Sequence, residues 1–115
     1  MAEKRAGMVK KYDWEVRPER RGVRRVLVVD VDVTDLQSGT RIRERTKDLS
    51  LYGCGVTTQT PFLAGTKVML KVTYEDKQFV AFGKVMYGRR DIGMGIAFTA
   101  IEPKSQKILD DWFAD

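Results

Sequence analysis

Residues 67–87 read Lys-Val-Met-Leu-Lys-Val-Thr-Tyr-Glu-Asp-Lys-Gln-Phe-Val-Ala-Phe-Gly-Lys-Val-Met-Tyr, and this stretch decides the fold class. Val68, Leu70, Val72 and Tyr74 fall at every second position and share one face, the period of a strand half-buried against a core. Glu75-Asp76-Lys77 interrupts the pattern as a tight hairpin loop, and Gln78 to Tyr87 returns as the partner strand.

The same alternation continues on both sides of the hairpin. Val26-Leu-Val-Val-Asp-Val-Asp-Val33 sets Leu27, Val29, Val31 and Val33 on one face, with Val28, Asp30 and Asp32 on the other. Asp35-Leu-Gln-Ser-Gly39 is a turn, and Thr40 to Lys47 alternates again. There Ile42 lies opposite Arg41, Arg43, Arg45 and Lys47, a row of cations read as an outward face guarded against edge pairing. Cys54 to Gln59 is a short strand closed by Thr60-Pro61, and Met94-Gly-Ile-Ala-Phe98 is the last, with Met94, Ile96 and Phe98 on one side. About six strands joined by short turns predict a closed antiparallel barrel, an all-β fold with one C-terminal helix. That helix opens at Pro103, and its apolar stripe is Ile108, Leu109, Trp112 and Phe113. A helix so short is marginal alone, so it is expected to dock on the barrel and close an open end, with Trp112 and Phe113 as core.

Composition narrows the function. The 115 residues leave room for one domain, and the longest apolar run, Val26 to Val29, is far short of the about 20 residues that a membrane helix needs. No secretory signal is expected at the N-terminus, and a single cysteine, Cys54, fits a reducing cytoplasm. The absence of histidine removes the commonest general base and the usual zinc ligand, so neither catalysis nor a metal site is expected. Residues 1–25 hold nine Lys/Arg against four acids, a difference of five that is the whole net charge of +5. A basic leader on a neutral body points to an anionic ligand met by the N-terminal segment.

Two constellations at strand entrances carry the chemistry: Glu19-Arg-Arg-Gly-Val-Arg-Arg25 and Asp48-Leu-Ser-Leu-Tyr-Gly53. Arginine's planar fork donates paired hydrogen bonds to phosphate or to O6 and N7 of guanine, and its plane stacks on purines. Two arginines four residues apart in an extended lead-in span about 13 Å. Asp48 offers acceptors for the N1–H and N2–H of a guanine, Ser50 can donate or accept, and Gly53 permits positive φ and close backbone approach. Taken alone, Asp48 and Ser50 equally fit a turn in which they satisfy their own backbone.

The order of elements resembles the PilZ domain family, whose hallmark is Arg-x-x-x-Arg followed by Asp/Asn-x-Ser/Ala-x-x-Gly. Here Arg21-Gly-Val-Arg-Arg25 precedes Asp48-Leu-Ser-Leu-Tyr-Gly53 by 22 intervening residues. Phe62-Leu-Ala-Gly65, Gly83-Lys-Val85 and Gly93 to Phe98 are similar to the family's later strands, so the resemblance covers residues 19–113. It divides the chain into a basic leader, 1–18, and a PilZ-like domain, 19–115, built as a split β-barrel. It implies a receptor for cyclic di-GMP, with Arg21 and Arg25 gripping the ligand, Arg20 auxiliary, and Asp48, Ser50 and Gly53 completing the site. Arg20 and Arg24 also fit the spacing, so the register stays open. Cys54 stands where the family often has another apolar residue, and Arg24 where it often has proline. The resemblance further implies a cytoplasmic protein, monomer or dimer, without cofactor, which passes its signal to a separate downstream protein when the basic segment wraps the bound dinucleotide. Two rivals rank lower: a PilZ-like adaptor for pilus or motility machinery that binds no nucleotide, and a nucleic-acid-binding barrel using Arg41, Arg43 and Arg45. No clear aromatic stacking row accompanies those arginines, which places nucleic acid third, ahead only of an enzyme.

Overall fold

The computed structural model describes residues 26–114. Six strands run in chain order as β1 (Asp30–Asp35), β2 (Arg41–Leu49), β3 (Gly53–Thr57), β4 (Lys67–Tyr74), β5 (Lys77–Arg89) and β6 (Gly93–Ile101), followed by α1 (Pro103–Trp112). They close into a barrel in the order β1-β2-β3-β6-β5-β4, every neighbouring pair antiparallel.

Period-two alternation fills the interior. Val31 and Val33 of β1, Val68, Leu70 and Val72 of β4, and Phe79, Ala81 and Val85 of β5 are all buried, facing Met94, Ile96 and Phe98 of β6. Each such aliphatic or aromatic side chain taken fully from water contributes about 1.5–3 kcal/mol before the chain entropy is counted. Phe79 is fully buried in this core, edge-on to Phe98 at 5.9 Å and to Trp112 at 5.4 Å.

The first strand begins later than its apolar pattern. Val29 is buried as expected, yet the ladder opens only at Asp30. Thr46 is the reason: its Oγ1 accepts the Val29 N–H at 3.0 Å and donates to the Leu27 carbonyl at 2.5 Å, so a hydroxyl replaces a backbone partner. Val26 and Val28 point outward, 86% and 55% exposed. The β4–β5 hairpin is tighter than expected, since Tyr74 pairs with Lys77 and only Glu75 and Asp76 form the loop. Glu75 takes a φ of 57°, the left-handed region that two-residue hairpin loops demand.

Closure overturns one expectation in part. β1 pairs β2 along Arg41–Arg45, but β3 pairs it only from Arg45 onward, so Arg45 guards no edge while Arg41 and Arg43 lie on a half with a single strand partner. The helix docks as anticipated: Leu109 and Phe113 are buried, and the Ser105 Oγ accepts the Val80 N–H at 3.0 Å, anchoring the first turn to β5. Trp112 meets Tyr74 edge-on at 5.5 Å and is half-buried, so it serves as the lid of the core more than its centre.

Candidate functional site

The Asp48–Gly53 segment joins β2 to β3, and a β-bulge aims it. Thr46 pairs with Val56 and Asp48 with Gly55, leaving Lys47 as the extra residue. Thr46 and Leu49 both face the interior, so the two residues between them, Lys47 and Asp48, both face outward. Without that insertion the alternation would turn Asp48 into the core.

The motif residues hold their own turn. Asp48 Oδ1 accepts the Gly55 N–H at 2.8 Å. Ser50 is buried; its Oγ accepts the Tyr52 N–H at 3.0 Å and donates to the Gly53 carbonyl at 3.3 Å. The Ser50 N–H also donates to Gly53 O, and the Phe98 N–H to Tyr52 O, which stitches the turn to β6. Gly53 does not take the positive φ expected of it; that geometry belongs to Gly39, Gly65 and Gly93 among the described glycines. Close approach is what it supplies, because a Cβ at Gly53 would collide with the Ile96 carbonyl oxygen of β6.

One cross-strand row organises the outer surface here. Asp48 pairs with Gly55, Gly55 with Gly95, and Gly95 with Tyr87, crossing β2, β3, β6 and β5. At about 4.8 Å per strand the row spans roughly 14 Å. The glycines let neighbours lie flat: the Tyr87 ring covers Gly95, and the Lys47 stem covers Gly55 on its way to the Ile92 carbonyl, where Nζ donates at 2.9 Å. The surface therefore presents a carboxylate at one end and a tyrosine face, 41% exposed, at the other. Sequence reasoning missed Tyr87 and Lys47. The available signal was the alternation Gly93-x-Gly95 on the face opposite Met94 and Ile96, which marks a strand surface that another side chain can cover.

Arg20, Arg21 and Arg25 lie outside the described residues. What is fixed is where the chain enters: Leu27 and Val29 bond to Thr46, two residues from Asp48. Among the described residues no group of His, Cys, Asp or Glu could hold a metal ion, and no helix is long and apolar enough to cross a membrane.

Comparison with known proteins agrees with this geometry. The solved structures similar to this chain include the PilZ domain of CeSA from a cellulose synthesizing bacterium, with a TM-score of 0.65, 14% identity, and coverage of 78% of this chain and 93% of that one. They also include the Bacillus subtilis inhibitor of motility MotI/DgrA, with a TM-score of 0.62, 19% identity and coverage of 77% of this chain but 46% of that one. At these identities the likeness shows the fold alone. No curated protein matches the sequence. The family model of the PilZ domain, however, matches residues 16–115. With nearly the whole sequence matched and the barrel and terminal helix in place, the chain belongs to the PilZ domain family.

Proposed function

We propose that this protein is a receptor for cyclic di-GMP that catalyses nothing, needs no cofactor, and signals to a separate protein in the cytoplasm. The observation that carries the reading is the outward Asp48, set by the Lys47 bulge at one end of a row about 14 Å long that ends on the Tyr87 ring. The arginine lead-in, about 13 Å between Arg21 and Arg25 if extended, has a matching length. Val26 lies three residues before Val29, whose N–H bonds Thr46 two residues from Asp48, so in this reading the lead-in reaches the ligand from the Asp48 end. In this reading Asp48 accepts from the guanine Watson–Crick edge while Arg21, Arg25 and the auxiliary Arg20 meet phosphate and the Hoogsteen edge. Ser50 and Gly53 keep the turn closed against β6, and Tyr87 offers a ring face for a base.

A second reading has its own support. Asp48 and Ser50 both bond within the turn, so the motif is also sufficient as pure structure, as it would be in an adaptor that binds only protein. MotI/DgrA, described as an inhibitor of motility, shows that this fold occurs in a motility protein.

Calorimetric titration of cyclic di-GMP separates the two, with Arg25→Ala and linear GMP as controls. Saturable binding that disappears in the variant and is absent for GMP is the expected result. No heat at high ligand concentration leaves the fold intact and makes the adaptor the function. If ligand changes nothing in the amide exchange of residues 1–25, the wrapping of the basic segment is not the signal.

A further inference from the structure

The arginines of β2 meet more than an edge: Arg41 and Arg43 lie on the half that only β1 pairs, and Arg45 lies where β3 joins. On the outer face of β1, Asp32 lies between Arg43 of β2 and Lys71 of β4, and Asp30 between Arg45 and Thr73. Arg43 Nε and Arg41 Nη2 stand 3.0 and 3.3 Å from Asp32, and Arg45 Nε 3.7 Å from Asp30. Around a groove of about 540 Å³ four cations thus meet three carboxylates, of which Glu44 is already taken by the Thr58 hydroxyl. The arginine side chains are 53%, 75% and 61% exposed, and each guanidinium carries five N–H donors of which these pairs occupy few. Exposed pairs of this kind are weak, because water competes for both partners, so exchanging one carboxylate for another costs little. In the barrel order β1 stands opposite β6, so this groove faces away from the Asp48–Tyr87 row.

We infer that the outer face of β2, β1 and β4 is a docking surface for an acidic segment of a partner protein. Three features select that occupant. Arg41, Arg43 and Arg45 recur about every 6.8 Å, the repeat of an extended peptide with acids at alternate positions. The adjoining row, Arg41-Thr34-Met69-Phe82, supplies an apolar margin in which Phe82 is 41% exposed, and arginine beside an aromatic is the composition of protein interfaces. Nucleic acid fits less well, because the groove itself holds no ring on which bases could stack. The inference stands whether or not the opposite face binds a dinucleotide.

The test uses the full chain, isotope-labelled, titrated with a synthetic octapeptide of alternating Glu and Thr. Amide shifts should cluster in residues 30–34, 41–45 and 69–73. By fluorescence anisotropy, Arg43→Gln/Arg45→Gln should weaken the peptide about tenfold, while Lys104→Gln/Lys107→Gln, with the same charge change on α1, weakens it less than twofold. Shifts confined to the basic leader or to α1, equal losses in both variants, or an octathymidylate that binds the same residues more tightly than the peptide would each overturn it. The shift map needs no variant, so it decides the matter even if a double substitution fails to fold.

Discussion

Two outer faces of one barrel are built on opposite principles. Across β2, β3, β6 and β5 the face from Asp48 to Tyr87 is made by removing side chains: Gly55 and Gly95 let a lysine stem and a ring lie close, and Gly53, beside that row, lies against the Ile96 carbonyl. Across β2, β1 and β4 the surface is made by adding them, as an alternating lattice of arginine, aspartate and lysine. The difference is one of tolerance. A glycine pressed against backbone cannot accept even a methyl group, whereas an exposed ion pair has water as a ready substitute. The first face is rigidly specified by packing, and the second is free to change partners.

Gly53→Ala is the hardest blow to that comparison, because the new Cβ meets the Ile96 carbonyl and the strands must part. The expected cost is about 3 kcal/mol, a melting temperature lower by roughly 10 °C or more. Gly95→Ala should cost less, on the order of 1 kcal/mol, since the atom it strikes belongs to the Tyr87 ring, which can swing aside. Arg45→Ala on the charged face should stay within about 0.5 kcal/mol of wild type by thermal denaturation. If Gly53→Ala melts where Arg45→Ala does, the contrast between the faces is wrong.

The ligand reading sharpens the comparison in a different measurement. Asp48→Ala removes a charged acceptor and should weaken cyclic di-GMP roughly tenfold to a hundredfold, and Tyr87→Ala about tenfold, from the usual worth of a charged hydrogen bond and of a stacked ring. Arg43→Gln, on the opposite face, should leave the dissociation constant within a factor of about two. A Tyr87→Ala protein that binds as wild type would strip the row of its far end and confine recognition to Asp48 and the arginine segment.

Alternation made the barrel legible, because each inward Val, Leu, Ile or Phe announces its face at every second position. Two things it could not announce. Thr46 is polar yet buried, and only the structure shows its hydroxyl taking the place of a ladder partner for Val29, so the start of β1 was misplaced by four residues, Val26 for Asp30. The Lys47 bulge is equally silent, since an inserted residue looks like any other until the strand opposite is known. Of the candidate site, the Asp48-x-Ser50-x-x-Gly53 turn was visible through its resemblance to a family, but Tyr87 was not. It lies 34 residues beyond Gly53 and meets the row only through the pairing of β5 with β6. Glycine, having no side chain, carries no pattern of its own; the faces it creates are read from what crosses them.

The smallest effect comes from the charged side, at the turn after β1. Asp35 Oδ1 accepts the Gln37 and Ser38 N–H groups at 2.9 and 3.3 Å, and the Gln37 bond foremost holds the carboxyl below its ordinary value. A carboxyl whose pKa is depressed by folding stabilises the protein while both states are ionised. That stability is lost as pH falls below the ordinary carboxylate value and through the folded one. Asp35→Asn should therefore lower the neutral plateau of a plot of melting temperature against pH slightly, leave its acid end nearly unchanged, and so flatten the acid limb. Asp35 is only partly buried at the barrel surface, so the change should be slight beside that of Gly53→Ala. A loss at acid pH as large as the one at neutral pH would mean that Asp35 holds the turn by more than its charge. The charged side of the barrel would then be less tolerant than its open ion pairs imply.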